Sequence, residues 1–261
     1  MNSPLNYMGG KSRLVPTIAP IVNNTPHDCY CEPFAGAAWV LFGKEKSASK
    51  AEVINDAEKE LVTFFRVVQC HLLPFIDLYR HAVVSRQIYE WERMKRPETL
   101  TDLQRAARYY YLQRLAFGGK VKGQSFGYGT GTRPRLDIDG ISERLAEVHR
   151  RLCDVVIECL DWTDCVRRYD RPGTLFFVDP PYCDAAGYVV EFPKERYAEL
   201  AETLKGMKGK FLLTINDHPH ARKVFDGFRR QELKTRYSVM RDKRPSSVKE
   251  LLFSNFDWRA Q

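Results

Sequence analysis

Between Leu175 and Tyr182 the chain reads Leu-Phe-Phe-Val-Asp-Pro-Pro-Tyr, and this stretch limits the possible folds most tightly. The unbroken apolar run Leu175-Phe176-Phe177-Val178 has the composition of a strand buried on both faces. Pro180 and Pro181 carry no N–H, so a sheet ladder cannot continue through them. The strand therefore ends at Val178 and delivers Asp179 and Tyr182 to its carboxyl end. In open α/β sheets that edge is where ligands bind. A carboxylate and a carbonyl accept hydrogen bonds from an amino group, and a tyrosine ring stacks on a flat heterocycle, so the set suits an exocyclic amine on a base. A plain strand-ending turn is the competing explanation, since Pro-Pro after a strand is common loop chemistry.

The preceding chain supplies more strand ends of the same kind. Asn6-Tyr7-Met8-Gly9-Gly10-Lys11 pairs glycines with a lysine, a pattern that lets backbone approach a ligand and a cation follow it, although a solvent loop explains it as well. Cys29-Tyr30-Cys31-Glu32 reads as a strand, and Pro33-Phe34-Ala35-Gly36-Ala37-Ala38 reads as a tight turn into a helix, small enough to admit a nucleoside. Ala51–Asn55 is a second strand, followed by Asp56. An acid there, ~20 residues past the glycine turn, is placed to bind ribose hydroxyls; capping an Ala57–Cys70 helix is the equal alternative. Asp154–Leu160 is a third strand, with Asp161-Trp162 at its end, where the carboxylate suits an adenine amine or a cap for a helix over Thr163–Arg168. Lys210–Asp217 is a further strand with polar residues at its end, and Phe228–Val239 with Glu250–Phe256 reads as a closing antiparallel pair.

From Leu72 to Phe117 the apolar spacing is helical, with Leu78, Ile88, Trp91, Leu103, Ala107, Tyr110, Tyr111 and Leu115 as inward positions. The loop from Gly118 to Arg135 then combines glycines, bases and the aromatics Phe126 and Tyr128, which permits phosphate pairing and base stacking; a plain mobile loop would look similar. Charge follows the same division. The net charge is +8, and eleven basic residues face four acidic ones between Arg86 and Arg135, so a polyanion is the expected partner of that segment. A second basic run, from Arg229 to Arg244, follows near the end. Seven scattered cysteines suit a reducing compartment, and none forms a set at zinc spacing. No apolar run approaches the ~18 residues of a membrane span, and the first residues lack a signal-peptide pattern, which points to the cytoplasm.

Taken in order, these pieces resemble the Dam-like, D12 class of adenine-specific DNA methyltransferases. The resemblance is carried by Tyr7-Met8-Gly9-Gly10-Lys11, Glu32-Pro33-Phe34-Ala35-Gly36-Ala37, Asn55-Asp56, Leu160-Asp161-Trp162, Asp179-Pro180-Pro181-Tyr182, Thr214-Ile215-Asn216 and Glu250-Leu251-Leu252-Phe253-Ser254-Asn255, across nearly the whole chain. It implies an α/β fold: a Rossmann-like class I S-adenosylmethionine-dependent methyltransferase sheet with a helical target-recognition insertion. Residues 1–70 and 136–261 would form the catalytic domain and 71–135 the basic insertion. Two positions depart from the family pattern: Ala38, where relatives usually carry a second glycine, and Trp39, where they often carry a small polar residue. The insertion also carries no clear copy of the family's target-reading hairpin.

By the same resemblance, Tyr7, Lys11, Phe34, Gly36, Asp56, Asp161 and Asp179 would bind S-adenosylmethionine, and Asp179, Pro180 and Tyr182 would hold the target adenine, with no metal. Arg105, Arg108, Lys120, Lys122, Arg133, Arg135 and Arg244 are the expected contacts to double-stranded DNA. The expected reaction is site-specific methylation of N6 on a flipped-out adenine, by a monomer in the cytoplasm of a bacterium or phage-infected cell, without a membrane partner. An RNA or N4-cytosine methyltransferase would use the same amine chemistry, and a non-catalytic DNA-binding module could keep the same fold.

Overall fold

The protein is described by a computed structural model covering residues 1–7, 11–127, 131, 135–183, 189–237 and 246–259, with side chains described for all of these except 234–237 and 246–249. Of the residues singled out above, Gly9, Gly10, Tyr128, Arg133 and Arg244 lie outside the described residues. In chain order the elements are α1 (Val15–Asn24), β1 (Cys29–Glu32), α2 (Trp39–Gly43), β2 (Ala51–Asn55), α3 (Lys59–Cys70), α4 (Leu72–Asp77), α5 (Arg86–Met94), α6 (Asp102–Leu115), α7 (Ile141–Leu152), β3 (Val155–Glu158), α8 (Trp162–Tyr169), β4 (Thr174–Val178), α9 (Lys194–Lys205), β5 (Lys210–Asn216), α10 (Pro219–Val224), β6 (Arg229–Tyr237) and β7 (Ser246–Ser254).

The strands form one sheet in the order β3-β2-β1-β4-β5-β7-β6. β3, β2, β1, β4 and β5 run parallel, and β7 runs antiparallel to both β5 and β6. All five residues of β4 are buried, as a parallel strand covered on both faces requires. The chain winds outward in one direction from β1 and in the other from β4, and these two strands are neighbours, with Cys31 opposite Phe176. Their carboxyl ends therefore bound the crevice at the switch point, where an open sheet leaves room for a ligand. Glu32 ends one strand and Asp179 follows the other, so both reach the same edge.

One face of the sheet is covered by α1, α2, α3, α6 and α7, and the other by α8, α9 and α10. The helices after α3 share the first of these cores: Phe75, Tyr79, Tyr89 and Tyr110 are buried in it, and the Tyr110 ring stacks on Phe64 of α3 at 5.3 Å. α6 starts at a reciprocal cap, in which the Thr101 hydroxyl accepts from the Gln104 N–H and the Gln104 side chain accepts from the Thr101 N–H. Tyr110, Tyr111 and Leu115 are buried as the spacing predicts, and Ile88, Leu103 and Ala107 lie against the core. Leu78 and Trp91 do not turn inward: they are 49% and 52% exposed. A helical period marks a stripe, but the width of that stripe depends on how closely the next helix packs.

Candidate active site

Asp179 stands at the carboxyl end of β4 and faces a cavity of about 290 Å³. Its Oδ1 lies 2.8 Å from the Nζ of Lys11 and accepts a hydrogen bond from the Thr214 hydroxyl of β5 at 3.0 Å. Lys11 is 4% exposed, so its ammonium acts where water screens little. Burial pushes the Asp179 carboxyl up to about 6, against the pull of Lys11 and the Thr214 bond, and the Glu250 carboxylate adds to the rise. The same ammonium also donates to the Tyr182 hydroxyl and lies 4.1 Å from the centre of that ring. Three of the residues expected from the sequence, Lys11, Asp179 and Tyr182, therefore form one contact group. Pro180 is buried behind them, and Pro181 lines the cavity.

The walls of the cavity are set by the loops after β1, β2 and β3. Asn55, at the end of β2, ties these loops together: its amide donates to the carbonyls of Pro33 and Leu160, and its oxygen accepts from the Leu160 N–H. Gly36 has φ +48°, a conformation glycine adopts without penalty, and its N–H donates to Asp56 Oδ2 at 2.8 Å. The other Asp56 oxygen accepts from the Glu58 N–H at 2.9 Å. Asp56 thus closes a turn ahead of α3, whose N-cap is Glu58, and does not cap the helix itself. Ala38 adopts φ +52°, the one non-glycine residue with positive φ among the described residues. The position that departs from the family pattern thus holds a left-handed conformation that favours glycine.

Phe34 stacks on Trp162 at 5.8 Å and meets Phe192 edge-on at 5.7 Å, giving the cavity an aromatic wall. Asp161 caps α8, its Oδ1 accepting from the N–H and hydroxyl of Thr163, while Oδ2 pairs with Arg196 of α9 at 2.6 Å. Burial raises the Asp161 carboxyl, but the Thr163 bonds and the Arg196 pair outweigh this and hold it below its ordinary value. Tyr7 donates to Glu58 at 2.8 Å, and both line the cavity. Burial, reinforced by the Asp56 charge, pushes Glu58 up to about 8; burial likewise pushes Glu32, which accepts from Tyr30 and from the Leu41 N–H, up to about 8. The sequence reading assigned no role to Asn55, Glu58, Phe192 or Arg196; each acts through a partner distant in the chain, and only the residue types at strand ends hinted at them.

The cavity fits a nucleoside-bearing amino acid. An aromatic wall suits adenine, the Asp56 carboxylate retains lone pairs for ribose hydroxyls, and a buried ammonium and carboxylate stand where a reacting amine would be held.

The expected DNA-facing cations divide in two. Arg105 pairs with Glu60 of α3 and with Asp102, and Arg108 donates to the carbonyls of Glu92 and Arg93 at the end of α5. Their guanidinium groups thus brace helices to one another. Lys120, Lys122 and Arg135 are exposed. The first two lie on a loop closed by an antiparallel bridge between Ala116 and Phe126, with the Phe117 N–H donating to the Ser125 carbonyl at 2.8 Å. Although the insertion lacks a clear hairpin signature in sequence, its chain does fold back on itself here.

The sequence model of the D12 class N6 adenine-specific DNA methyltransferases matches residues 7–239. The chain belongs to this family. It is an enzyme that transfers a methyl group from S-adenosylmethionine to adenine N6 in DNA, and the seven-strand sheet is the fold expected of it. The family assignment decides against the RNA, N4-cytosine and non-catalytic alternatives. A curated relative, the Type II methyltransferase M1.LlaDCHI of Lactococcus lactis subsp. cremoris, is 24% identical over 96% of this chain and 94% of its own. Among solved structures, the SAM-dependent methyltransferase from Agrobacterium tumefaciens aligns over 94% of this chain, at 13% identity and a TM-score of 0.40. The chain spans 60% of that protein's length. Among the described residues no helix is long and apolar enough to cross a membrane.

Proposed function

We propose that this D12 methyltransferase acts on a specific site in double-stranded DNA, flipping an adenine out of the stack and holding it against Tyr182, Asp179 and the Pro180 carbonyl. Adenine N6 cannot be reached inside a duplex, so extrusion of the base is the physical requirement. The observation that carries the reading is the Lys11–Asp179–Thr214 contact at the end of β4. Near neutral pH a carboxyl with its midpoint at about 6 is mostly ionised and accepts an N6 hydrogen. With the Pro180 carbonyl accepting the second, the nitrogen lone pair is withdrawn from the ring and becomes available. S-adenosylmethionine supplies an electrophilic methyl group, and this chain's contribution is positioning and fixed charge. The proton leaves the product amine directly to water or through Asp179, since a methylated aromatic ammonium is strongly acidic.

Tyr7, Lys11, Phe34, Gly36, Asp56, Asp161 and Asp179 are the residues proposed to hold the cofactor, with Phe34 and Trp162 against its adenine and Asp56 at its ribose. Lys120, Lys122 and Arg135 are proposed phosphate contacts, with Arg133 and Arg244 added from sequence, on an insertion spanning 71–135. Because Arg105 and Arg108 are engaged by Glu60, Asp102 and the end of α5, their contribution is to shape that surface. The enzyme would act as a monomer in the cytoplasm of a bacterium or phage-infected cell, where free thiols persist. The Type II relative supports a restriction-linked role. The test is methyl transfer from labelled S-adenosylmethionine to unmethylated genomic DNA, followed by nucleoside identification and sequencing of the modified sites. N6-methyladenine at one short sequence is expected, and an Asp179→Ala enzyme should bind DNA without modifying it. Full activity in that variant refutes the proposed role of Asp179.

A further inference from the structure

Tyr182 is held at both of its peptide bonds by side chains from distant elements. The carbonyl of Pro181, on one side, accepts a hydrogen bond from the Tyr197 hydroxyl of α9 at 2.8 Å. On the other side, the Cys183 N–H donates to Asn216 Oδ1 at 3.1 Å, and the Cys183 carbonyl accepts from Asn216 Nδ2 at 3.2 Å. Asn216 ends β5, two residues after Thr214, so both side chains project to the same face of that strand. β5 therefore grips the loop at its start, through Thr214 on Asp179, and at its end, through Asn216 on Cys183. The Tyr197 ring is itself fixed, edge-on against Phe192 at 4.8 Å and against His220 at 5.7 Å. Asn216 belongs to the Thr214-Ile215-Asn216 segment, which the proposed chemistry leaves without a task.

We propose that Tyr197 and Asn216 are positioning residues which set the backbone of Tyr182, and thereby the ring plane on which the target base stacks. This rests on the reading of Tyr182 as the base platform. A loop between two prolines and a sheet edge has a stiff start but no ladder to order its far end. The two side chains supply the missing hydrogen bonds, acceptor and donor in the order a neighbouring strand would have offered them. Misplacing a reacting group by about 1 Å costs on the order of a hundredfold in rate, so a loosened platform should be felt in the chemical step more than in binding.

The experiment measures single-turnover methylation of DNA, affinity for S-adenosylmethionine by calorimetry, and thermal melting for Tyr197→Phe, Asn216→Leu and Tyr182→Ala, and for each of the first two combined with the third. Tyr197→Phe should slow methylation about threefold to tenfold and Asn216→Leu about tenfold to a hundredfold, with cofactor affinity within about twofold. In the Tyr182→Ala background both effects should shrink towards nothing, because residues that act through one partner are not additive. Effects that persist undiminished in that background, or native rates in the two variants while Tyr182→Ala is slow, overturn the positioning role and leave the base platform standing. Native activity in Tyr182→Ala overturns the platform reading and the proposal with it. Should Asn216→Leu fail to fold, Tyr197→Phe, which removes a single oxygen, still decides the question.

Discussion

Replacing Lys11 by methionine removes the charge that keeps Asp179 ionised while preserving most of the buried stem. The ammonium lies 2.8 Å from the Asp179 carboxylate and is 4% exposed, so its influence is scarcely diluted by solvent. An opposite charge at this range lowers a carboxyl midpoint by about one to three pH units, equivalent to about 1.4–4 kcal/mol. Burial and Glu250 push the other way and are untouched by the substitution. The sign follows: without Lys11 the Asp179 midpoint rises from about 6, and the acidic limb of the rate profile moves up with it. With a midpoint near 8, only about a tenth of the carboxyl would be ionised at pH 7, against about nine-tenths in the native enzyme. Single-turnover methylation measured from pH 5.5 to 9.5 should therefore show a deficit of about tenfold at pH 7 that largely recovers by pH 9.5. Lys11→Arg, which retains the charge, should leave the limb nearly in place. A methionine variant whose limb stays put or shifts to lower pH refutes the coupling, even if its maximal rate is low.

Glu58, pushed up to about 8 by burial, is protonated in the folded protein at neutral pH, whereas the unfolded chain ionises it at its ordinary value of 4.5. Folding stability from this group is therefore full below 4.5 and is lost as pH rises through 8. Glu58→Gln should stabilise the protein by on the order of 2–4 kcal/mol at pH 9 and leave it nearly unchanged at pH 4, as read by urea denaturation; a gap that does not open with pH contradicts this. Ala38→Gly relieves about 1–2 kcal/mol of left-handed strain but loses a buried methyl and gains unfolded-state freedom, so the net change should stay within about 1 kcal/mol. Ala38→Val should instead destabilise by more than about 2 kcal/mol in the same denaturation assay. Lys120→Gln with Lys122→Gln should weaken DNA binding across all sequences and reduce the slope of log K against log salt by about 1.8. An unchanged slope removes both lysines from the phosphate contacts.

Local chemistry made much of this fold legible. The apolar run before Asp179-Pro180 is β4, the Cys29–Glu32 and Ala51–Asn55 segments are neighbouring strands, and the Ile141–Leu152 period is α7. The closing pair was readable because β6 and β7 adjoin across a short stretch of chain. A strand's end and a proline's missing N–H are properties of a few consecutive residues, so sequence alone determined where the catalytic edge lies. The insertion was read less well: Leu78 and Trp91 face outward because burial depends on which helix arrives opposite. Arg105 and Arg108 carry the charge expected of DNA contacts, yet Glu60 and the carbonyls at the end of α5 engage them. Charge can be counted along a sequence, but its partners are chosen by packing. Lys11 and Tyr182 are 171 residues apart, as remote as two residues of one site can be in such a chain. Tertiary structure alone brought the ammonium to Asp179, set the carboxyl's midpoint by burying it, and pinned the loop through Tyr197 and Asn216. Those features arise from desolvation and from distances between strands β1, β4 and β5, neither of which is written in any local run of residues.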